Sequence, residues 1–304
     1  ACGKAGEWHC AVALLDEMIA CGILPTVVSF STVIDACGRG GDWEQALALL
    51  SSMQSIGIYP NVVTINATLN ALSRGNEWRR ALFLLESMEC QYGLWPDLVS
   101  FSTAIAACSR RGRTNEVKLL LQKMWNAGIV PDAICYTSAI SAFARESNSG
   151  VAPGVGGGSS SKGKGNGTSN GKEKKKDHGV QHQDGDGDGD GSGICIDDSS
   201  RDTSDGADWA GALELLTEMR KVRVSADVVC LSAAMSACEK GRQYEKCLDL
   251  LDMMLLVEEV EPNSYCFNTA ISACKHHGHW EQALRLLSNM QDMNLTPDVI
   301  SFNS

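Results

Sequence analysis

Seven copies of the string Leu-Leu-x-x-Met run through the 304 residues, ending at Met18, Met53, Met88, Met124, Met219, Met254 and Met290. The intervals are 35, 35, 36, 95, 35 and 36 residues, and removing 60 from the long one restores 35. A repeat of this length constrains the fold more than any single motif, because one copy cannot bury its apolar face alone and must stack on its neighbours. Cut after the Pro-Asp or Pro-Asn that closes most copies, the complete units are 27–61, 62–97, 98–132, 133–227, 228–263 and 264–298. Partial units occupy 1–26 and 299–304, so the chain reads as an internal fragment of a longer array.

Within a unit, apolar residues recur at steps of three and four on two segments separated by a polar turn, as in 31–39 and 43–55. That spacing predicts two amphipathic helices. On the second, Trp43, Ala46, Leu47, Leu50 and Met53 form the apolar stripe. A glycine such as Gly57 or Gly128 follows, and then Pro60 or Pro131, the expected stop for a helix. Six of the seven prolines stand in that phase, and Ala226 is the departure.

Aligned units also separate packing residues from chemistry. Cys2, Cys37, Cys108, Cys238 and Cys274 share one position with Leu72 and Phe143, and a position that accepts Cys, Leu or Phe is a core position. The methionine column is read the same way. Ala11, Ala46, Ala81, Ala212 and Ala283, with Val117 and Cys247 as departures, mark close approach between helices. Trp8, Trp43, Trp78, Trp209 and Trp280, replaced by Thr114 and Tyr244, open the second helix and are expected to wedge against the next unit. Thirteen cysteines without a Cys-x-x-Cys pair argue against a disulfide framework or a zinc module, and point to reduced thiols inside a cell or organelle. No metal or cofactor is expected. No apolar run is long enough to span a membrane, and no targeting leader is visible.

The extra 60 residues fall between the two helices of the fourth full unit. Sixteen of the 30 glycines and none of the seven tryptophans lie in 147–206, a composition read as a disordered insert. A turn accepts such length because closure entropy grows slowly. Gly158, Gly163 and Lys164 imitate a phosphate loop, but Gly165 stands where Ser or Thr is needed and no strand leads in. Asp186, Asp188, Asp190, Gly191 and Asp197 imitate a calcium loop without flanking helices, and His178 and His182 sit on a segment with no helical pattern.

The units, with openings Val-Val-Ser-Phe-Ser and Val-Val-Thr-Ile-Asn and the closing Gly-Ile-x-Pro-Asp, resemble pentatricopeptide repeats of the P type over all of the chain except the insert. Tetratricopeptide repeats are the nearest competitor, but their Trp-x-x-Leu-Gly-x-x-Tyr helix is absent. The resemblance implies an all-α fold, a right-handed superhelical solenoid of helix-turn-helix repeats. It also implies sequence-specific binding of single-stranded RNA in organelle RNA processing, stability or translation, in a chloroplast or mitochondrion.

By the same resemblance, the fifth and last residues of each unit read a base. The pairs are Ser31 with Asn61, Asn66 with Asp97, Ser102 with Asp132, Thr137 with Asp227, Ser232 with Asn263, and Asn268 with Asp298. The family's preferences assign them A, U, G, G, A and U, 5' to 3', and Asn303 would open the next reader. Capping of helix N-termini is the alternative reading of these polar columns. Val28, Val63, Val99, Ile134, Val229 and Tyr265 match the position that clamps bases; the alternative is a first-turn core residue.

Arg39, Arg74, Arg110, Arg145 and Lys240, with Lys4 and His276 in the same column, match the position for phosphate contact. A cation at a helix C-terminus is favourable in any case. The net charge of −11, of which the repeats hold −8 and the insert −3, is unusual for a nucleic-acid binder. It supports the alternative of a scaffold for a protein or peptide partner. No nucleophile, base and orienting acid cluster anywhere, so the residues present are expected to bind rather than catalyse. A nuclease or other catalytic domain would have to come from further sequence.

Overall fold

The computed structural model describes residues 8–146, 208–256, 260–275 and 278–303, all within one compact unit. The described residues form fourteen α-helices and no strand. They are α1 (Trp8–Ala20), α2 (Val27–Gly40), α3 (Trp43–Ser55), α4 (Val62–Arg74), α5 (Trp78–Tyr92), α6 (Leu98–Ser109) and α7 (Thr114–Asn126). After these come α8 (Ala133–Glu146), α9 (Trp209–Lys221), α10 (Val228–Lys240), α11 (Tyr244–Leu256), α12 (Ser264–Lys275), α13 (Trp280–Asp292) and α14 (Val299–Asn303). The disorder expected for 147–206 and the motif fragments there lie outside the described residues, as do Cys2, Lys4 and His276.

Each first helix starts at the last residue of the unit before it. Asn61 accepts a hydrogen bond from the Thr64 N–H at 2.9 Å, Asp97 from Ser100 at 2.8 Å, and Asp227 from Cys230 at 2.7 Å. Asp132, Asn263 and Asp298 do the same for Cys135, Cys266 and Ser301. Such a cap satisfies one of the N–H groups a helix start leaves unpaired. Asp42 and Asp208 cap second helices in the same way. The turns need a left-handed residue, supplied by Gly41, Gly112 and Gly278 after the first helix and by Gly57 and Gly128 after the second, with Arg242 and Arg223 taking those roles in two units.

The first helices α2, α4, α6, α8, α10 and α12 pack side by side in chain order, and the second helices α3, α5, α7, α9 and α11 each lie between their own first helix and that of the next unit. The array therefore continues through the fourth unit: α8 meets both α9 and α10, although 62 residues separate Glu146 from Trp209. This is a helical repeat solenoid. Met53, Met88, Met124, Met219, Met254 and Met290 are fully buried between these rows, as are Cys37, Leu72, Cys108, Phe143, Cys238 and Cys274. Burial pushes the Cys37 thiol up to about 11, and the Cys108 and Cys238 thiols up to about 12, so all three are packing groups.

Trp8, Trp43 and Trp209 wedge between units and Trp78 packs against the core, whereas Trp280 is 66% exposed and, contrary to expectation, does not wedge. A Cβ added to Gly75, at the end of α4, would lie 2.2 Å from Cδ1 of Trp43 in the preceding unit. Gly40 meets Trp8, and Gly241 meets Trp209, in the same relation. Only glycine lets the indole lie on the helix end. Arg80 closes over the outer side of Trp43, 4.5 Å from the ring centroid.

Candidate nucleic-acid interface

The N-terminal turns of the first helices line up along one side of the array, and three residues of each turn matter. The second residue is apolar and solvent-exposed in every full unit: Val28 by 73%, Val63 by 64%, Val99 by 53%, Ile134 by 65%, Val229 by 60% and Tyr265 by 54%. The alternative of a first-turn core residue is excluded by these values. Single exposed apolar side chains are ordinary, but one per unit on one face is a surface built for contact. The fifth residue stands one turn further on the same face and is half-buried in Ser31, Asn66, Ser102, Thr137 and Ser232, and buried in Asn268. Between the first units these side chains line an open groove with Val28, Ser31, Asn61, Val63, Asn66 and Val99 in its walls.

The last residue of a unit is the cap of the next helix, and Asn61 is at the same time a wall of this groove. In two units the last residue bonds directly to the fifth residue: the Asn66 amide donates to Asp97 Oδ1 at 3.0 Å, and the Asn268 amide to Asp298 Oδ1 at 3.2 Å. For Asp97, burial alone would raise the pKa, but bonds from the Ser100 N–H, the Asn66 amide, the Ser100 hydroxyl and the Val99 N–H outweigh it and hold the carboxyl below its usual range. Asp298 is lowered too, first by the Ser301 N–H and hydroxyl. Both are carboxylates at neutral pH, so they accept and do not donate.

A third column, absent from the sequence reading, completes some of these pairs. It is the third residue of the following unit. Thr64 lies 2.8 Å from the Ser31 hydroxyl and donates to Asn61 Oδ1 at 2.9 Å. Ser100 donates to Asn66 Oδ1 at 2.6 Å and Ser301 to Asn268 Oδ1 at 2.7 Å, each also 2.9 Å from the carboxylate beside it. Where the third residue is Cys135 or Cys266, no hydrogen bond joins the two members of the pair among the described residues, although the Cys135 thiol itself bonds to Asp132. Ser102 turns to the Val99 carbonyl at 3.1 Å and Ser232 to the Val229 carbonyl at 3.0 Å. The signal lay in the sequence as a column alternating between Ser or Thr and Cys, at the third position of an N-terminal capping box.

The cation column stands at the other end of the same helices, eleven residues from the clamp position and so about 16 Å along the axis. Arg110 donates to the Ser73 carbonyl and, at 2.9 Å, to its hydroxyl; Arg145 donates to the Ser109 hydroxyl at 3.2 Å; Lys240 donates to the Ala144 carbonyl. Each of these reaches back to the end of the preceding first helix, where carbonyls are left over. Arg39 pairs with Asp35 on its own helix, and Arg74 is exposed. Among the described residues no cluster of His, Cys, Asp and Glu could hold a metal ion, and no helix is long and apolar enough to cross a membrane.

Comparison with known proteins gives one family. The PPR repeat family model matches residues 25–74 and 262–304, and the PPR repeat model matches 1–23, 99–129 and 229–256. Among solved structures, the chain is similar to the pentatricopeptide repeat protein PPR10 from maize, at 24% identity and a TM-score of 0.62, over 99% of this chain and 34% of that one. It is similar also to PPR10 in complex with an 18-nt psaJ RNA element, at 23% identity and a TM-score of 0.54, over 100% of this chain and 34% of that one. At these identities the likeness is one of fold, and the chain spans about a third of the length of the structures it matches. No curated protein matches it.

Proposed function

Because the chain belongs to the pentatricopeptide repeat family, we propose that it binds single-stranded RNA along the N-terminal turns of its first helices. The binding serves organelle RNA processing, stability or translation, in a chloroplast or mitochondrion. The observation that carries this reading is the row of exposed apolar residues from Val28 to Tyr265, spaced one per unit and each followed one turn later by a small polar side chain. A base face is an apolar surface of any sequence, so the row suits stacking, while the polar pairs suit hydrogen bonding to base edges. Unpaired bases present both at once. A duplex hides them.

The six reading pairs assign the word AUGGAU, with one base per unit from 27–61 to 264–298. Ser31 with Asn61 and Ser232 with Asn263 are the adenine readers, and Asn66 with Asp97 and Asn268 with Asp298 the uracil readers. Phosphate contact falls to the cation column, with Arg74 the member whose side chain is exposed and makes no bond within the described residues. The repeats supply binding and no catalytic groups. The test is a fluorescence binding assay of the purified chain with single-stranded RNA containing AUGGAU, a scrambled RNA and the AUGGAU duplex. Preference for the single-stranded match supports the reading. Equal, negligible binding to all three by folded protein removes it and turns the search to a peptide partner for the same groove.

A further inference from the structure

Two units carry the same reading pair and differ in one bonded neighbour. In unit 27–61, Ser31 and Asn61 are joined through the Thr64 hydroxyl; in unit 228–263, Ser232 and Asn263 face Cys266 in the same place and are not joined. Taking RNA reading by these pairs as given, we propose that the third residue of each unit is a positioning residue for the reading pair of the unit before it. Ser or Thr locks the pair and Cys leaves it looser, so units 27–61, 62–97 and 264–298 read their bases more selectively than units 98–132 and 228–263.

The chemistry follows from counting protons. Asn61 Oδ1 already accepts from the Thr64 N–H, and the Thr64 hydroxyl is a second donor to the same oxygen. With both bonds on Oδ1, the amide cannot flip without breaking them, and the two Nδ2 protons are left to face the groove. The single Ser31 proton has two acceptors at 2.8 Å, the Thr64 hydroxyl and the Val27 carbonyl of its own helix; with Thr64 donating to Asn61 it goes to Thr64, and in either case Ser31 meets a ligand as an acceptor. The pair thus presents a fixed donor beside a fixed acceptor, the complement of an adenine edge, which carries a ring-nitrogen acceptor beside an amino donor.

In the uracil readers the lock is tighter. Ser100 holds Asn66 Oδ1 while the Asn66 amide holds Asp97, and Ser301 does the same for Asn268 and Asp298. A thiol is a weak donor, and Cys266 meets Asn263 through its backbone N–H at 3.1 Å. One bond on Oδ1, the cap itself, holds the amide less firmly than two, and the Ser232 hydroxyl has only its own helix to donate to, at 3.0 Å, with no hydroxyl neighbour to bridge it to Asn263. Thr64, Ser100, Cys135, Cys230, Cys266 and Ser301 are all buried, so the Ser, Thr and Cys residues of this column fill equivalent sites and differ chiefly in hydrogen bonding.

The experiment uses the full chain with Thr64→Cys, Thr64→Ser and Cys266→Thr, and competition binding against AUGGAU and two RNAs in which the first or the fifth base is changed to C. The readout is the affinity ratio between match and mismatch at one base, together with the melting curve. One bond gained or lost is expected to change that ratio about three- to tenfold. Thr64→Cys lowers it at the first base alone, Thr64→Ser restores it, and Cys266→Thr raises it at the fifth base alone. A structural role would move affinity for all three RNAs together and leave the ratios unchanged, and that result overturns the proposal. If Cys266→Thr fails to fold, the Thr64 pair decides by itself. Absence of RNA binding by the parent chain removes the RNA reading and this one with it, whereas sequence-selective binding with unmoved ratios removes this one alone.

Discussion

The two ends of the first helices are built to opposite rules. At the C-terminal end, polar groups are matched within the array: Arg110, Arg145 and Lys240 reach back to Ser73, Ser109 and Ala144, and glycines sit beneath tryptophans of the preceding unit. At the N-terminal end, apolar side chains stand more than half exposed, and in two of the polar pairs the serine turns to its own helix. An end that satisfies its own groups holds units together. An end that leaves apolar surface in water and polar pairs open is where a ligand improves the free energy most.

The largest effect expected to break this contrast is on the closed end. Gly75→Ala places a methyl 2.2 Å from Trp43 Cδ1 and 2.8 Å from its Cγ, so the indole must leave the helix end. Overpacking of this kind costs about 1–3 kcal/mol. Denaturant melts should show that loss. RNA selectivity at folded concentrations should not change, and a melt identical to the parent would show that the wedge does not hold the joint.

At the open end, the proposed reading falls on residues that also cap helices, and the two roles can be separated. Asp97→Ala removes the cap of α6 and is expected to cost about 0.5–2 kcal/mol, while Asp97→Asn keeps an acceptor for the Ser100 N–H and costs little. Both should alter base preference at the second position, because both change the partner of Asn66. The same carboxylate has a pH signature. Its pKa is lowered in the folded chain from the ordinary 3.8, so its contribution is present above that value and is lost as the pH falls below it. Melts between pH 6 and pH 3 should therefore show a fall that Asp97→Asn makes shallower.

Smaller still is the effect of single cations, which tests whether the closed end touches RNA at all. Arg74 is exposed and Arg110 is tied to Ser73. Arg74→Gln is expected to weaken RNA binding evenly across sequences and to reduce the salt slope by about 1, with the melt unchanged. Arg110→Gln is expected to lower the melt by about 0.5–1.5 kcal/mol through its bonds to Ser73. Equal salt slopes for Arg74→Gln and the parent would place phosphate contact elsewhere.

How much of this was legible in the sequence follows from the range of the forces. Periodicity reports burial, which acts on most units alike, so the methionine and cysteine columns led directly to the core and the tryptophan column to the wedge, except at the exposed Trp280. Exposure of Val28, Val63 and their successors was left open against a core reading, because a valine in a first turn suits either role. The hydrogen bonds between units were not legible: Ser31 meets Thr64 across 33 residues and Arg110 meets Ser73 across 37, and their existence depends on how one unit seats on the next. The capping and reading interpretations of the Asp and Asn column also looked like rivals in the sequence. In the structure the cap is made by one carboxylate or amide oxygen, and Asn61 makes it while still bordering the groove.

The smallest effect is at a turn where neither end's rule applies. Arg242 closes the turn after α10 at a φ of 55°, and Arg223 does so after α9 at 61°, where Gly41 and Gly57 hold the equivalent sites in other units. The left-handed region costs a residue with a Cβ about 1–2 kcal/mol, and glycine recovers part of that while losing more chain entropy on folding. Arg223→Gly is therefore expected to stabilise the array by up to about 1 kcal/mol and to leave RNA selectivity untouched. A denaturant melt of that variant tests the local strain alone. If base preference shifts as well, the turn after the second helix governs how neighbouring reading pairs are spaced, and the open end depends on more than its own three columns.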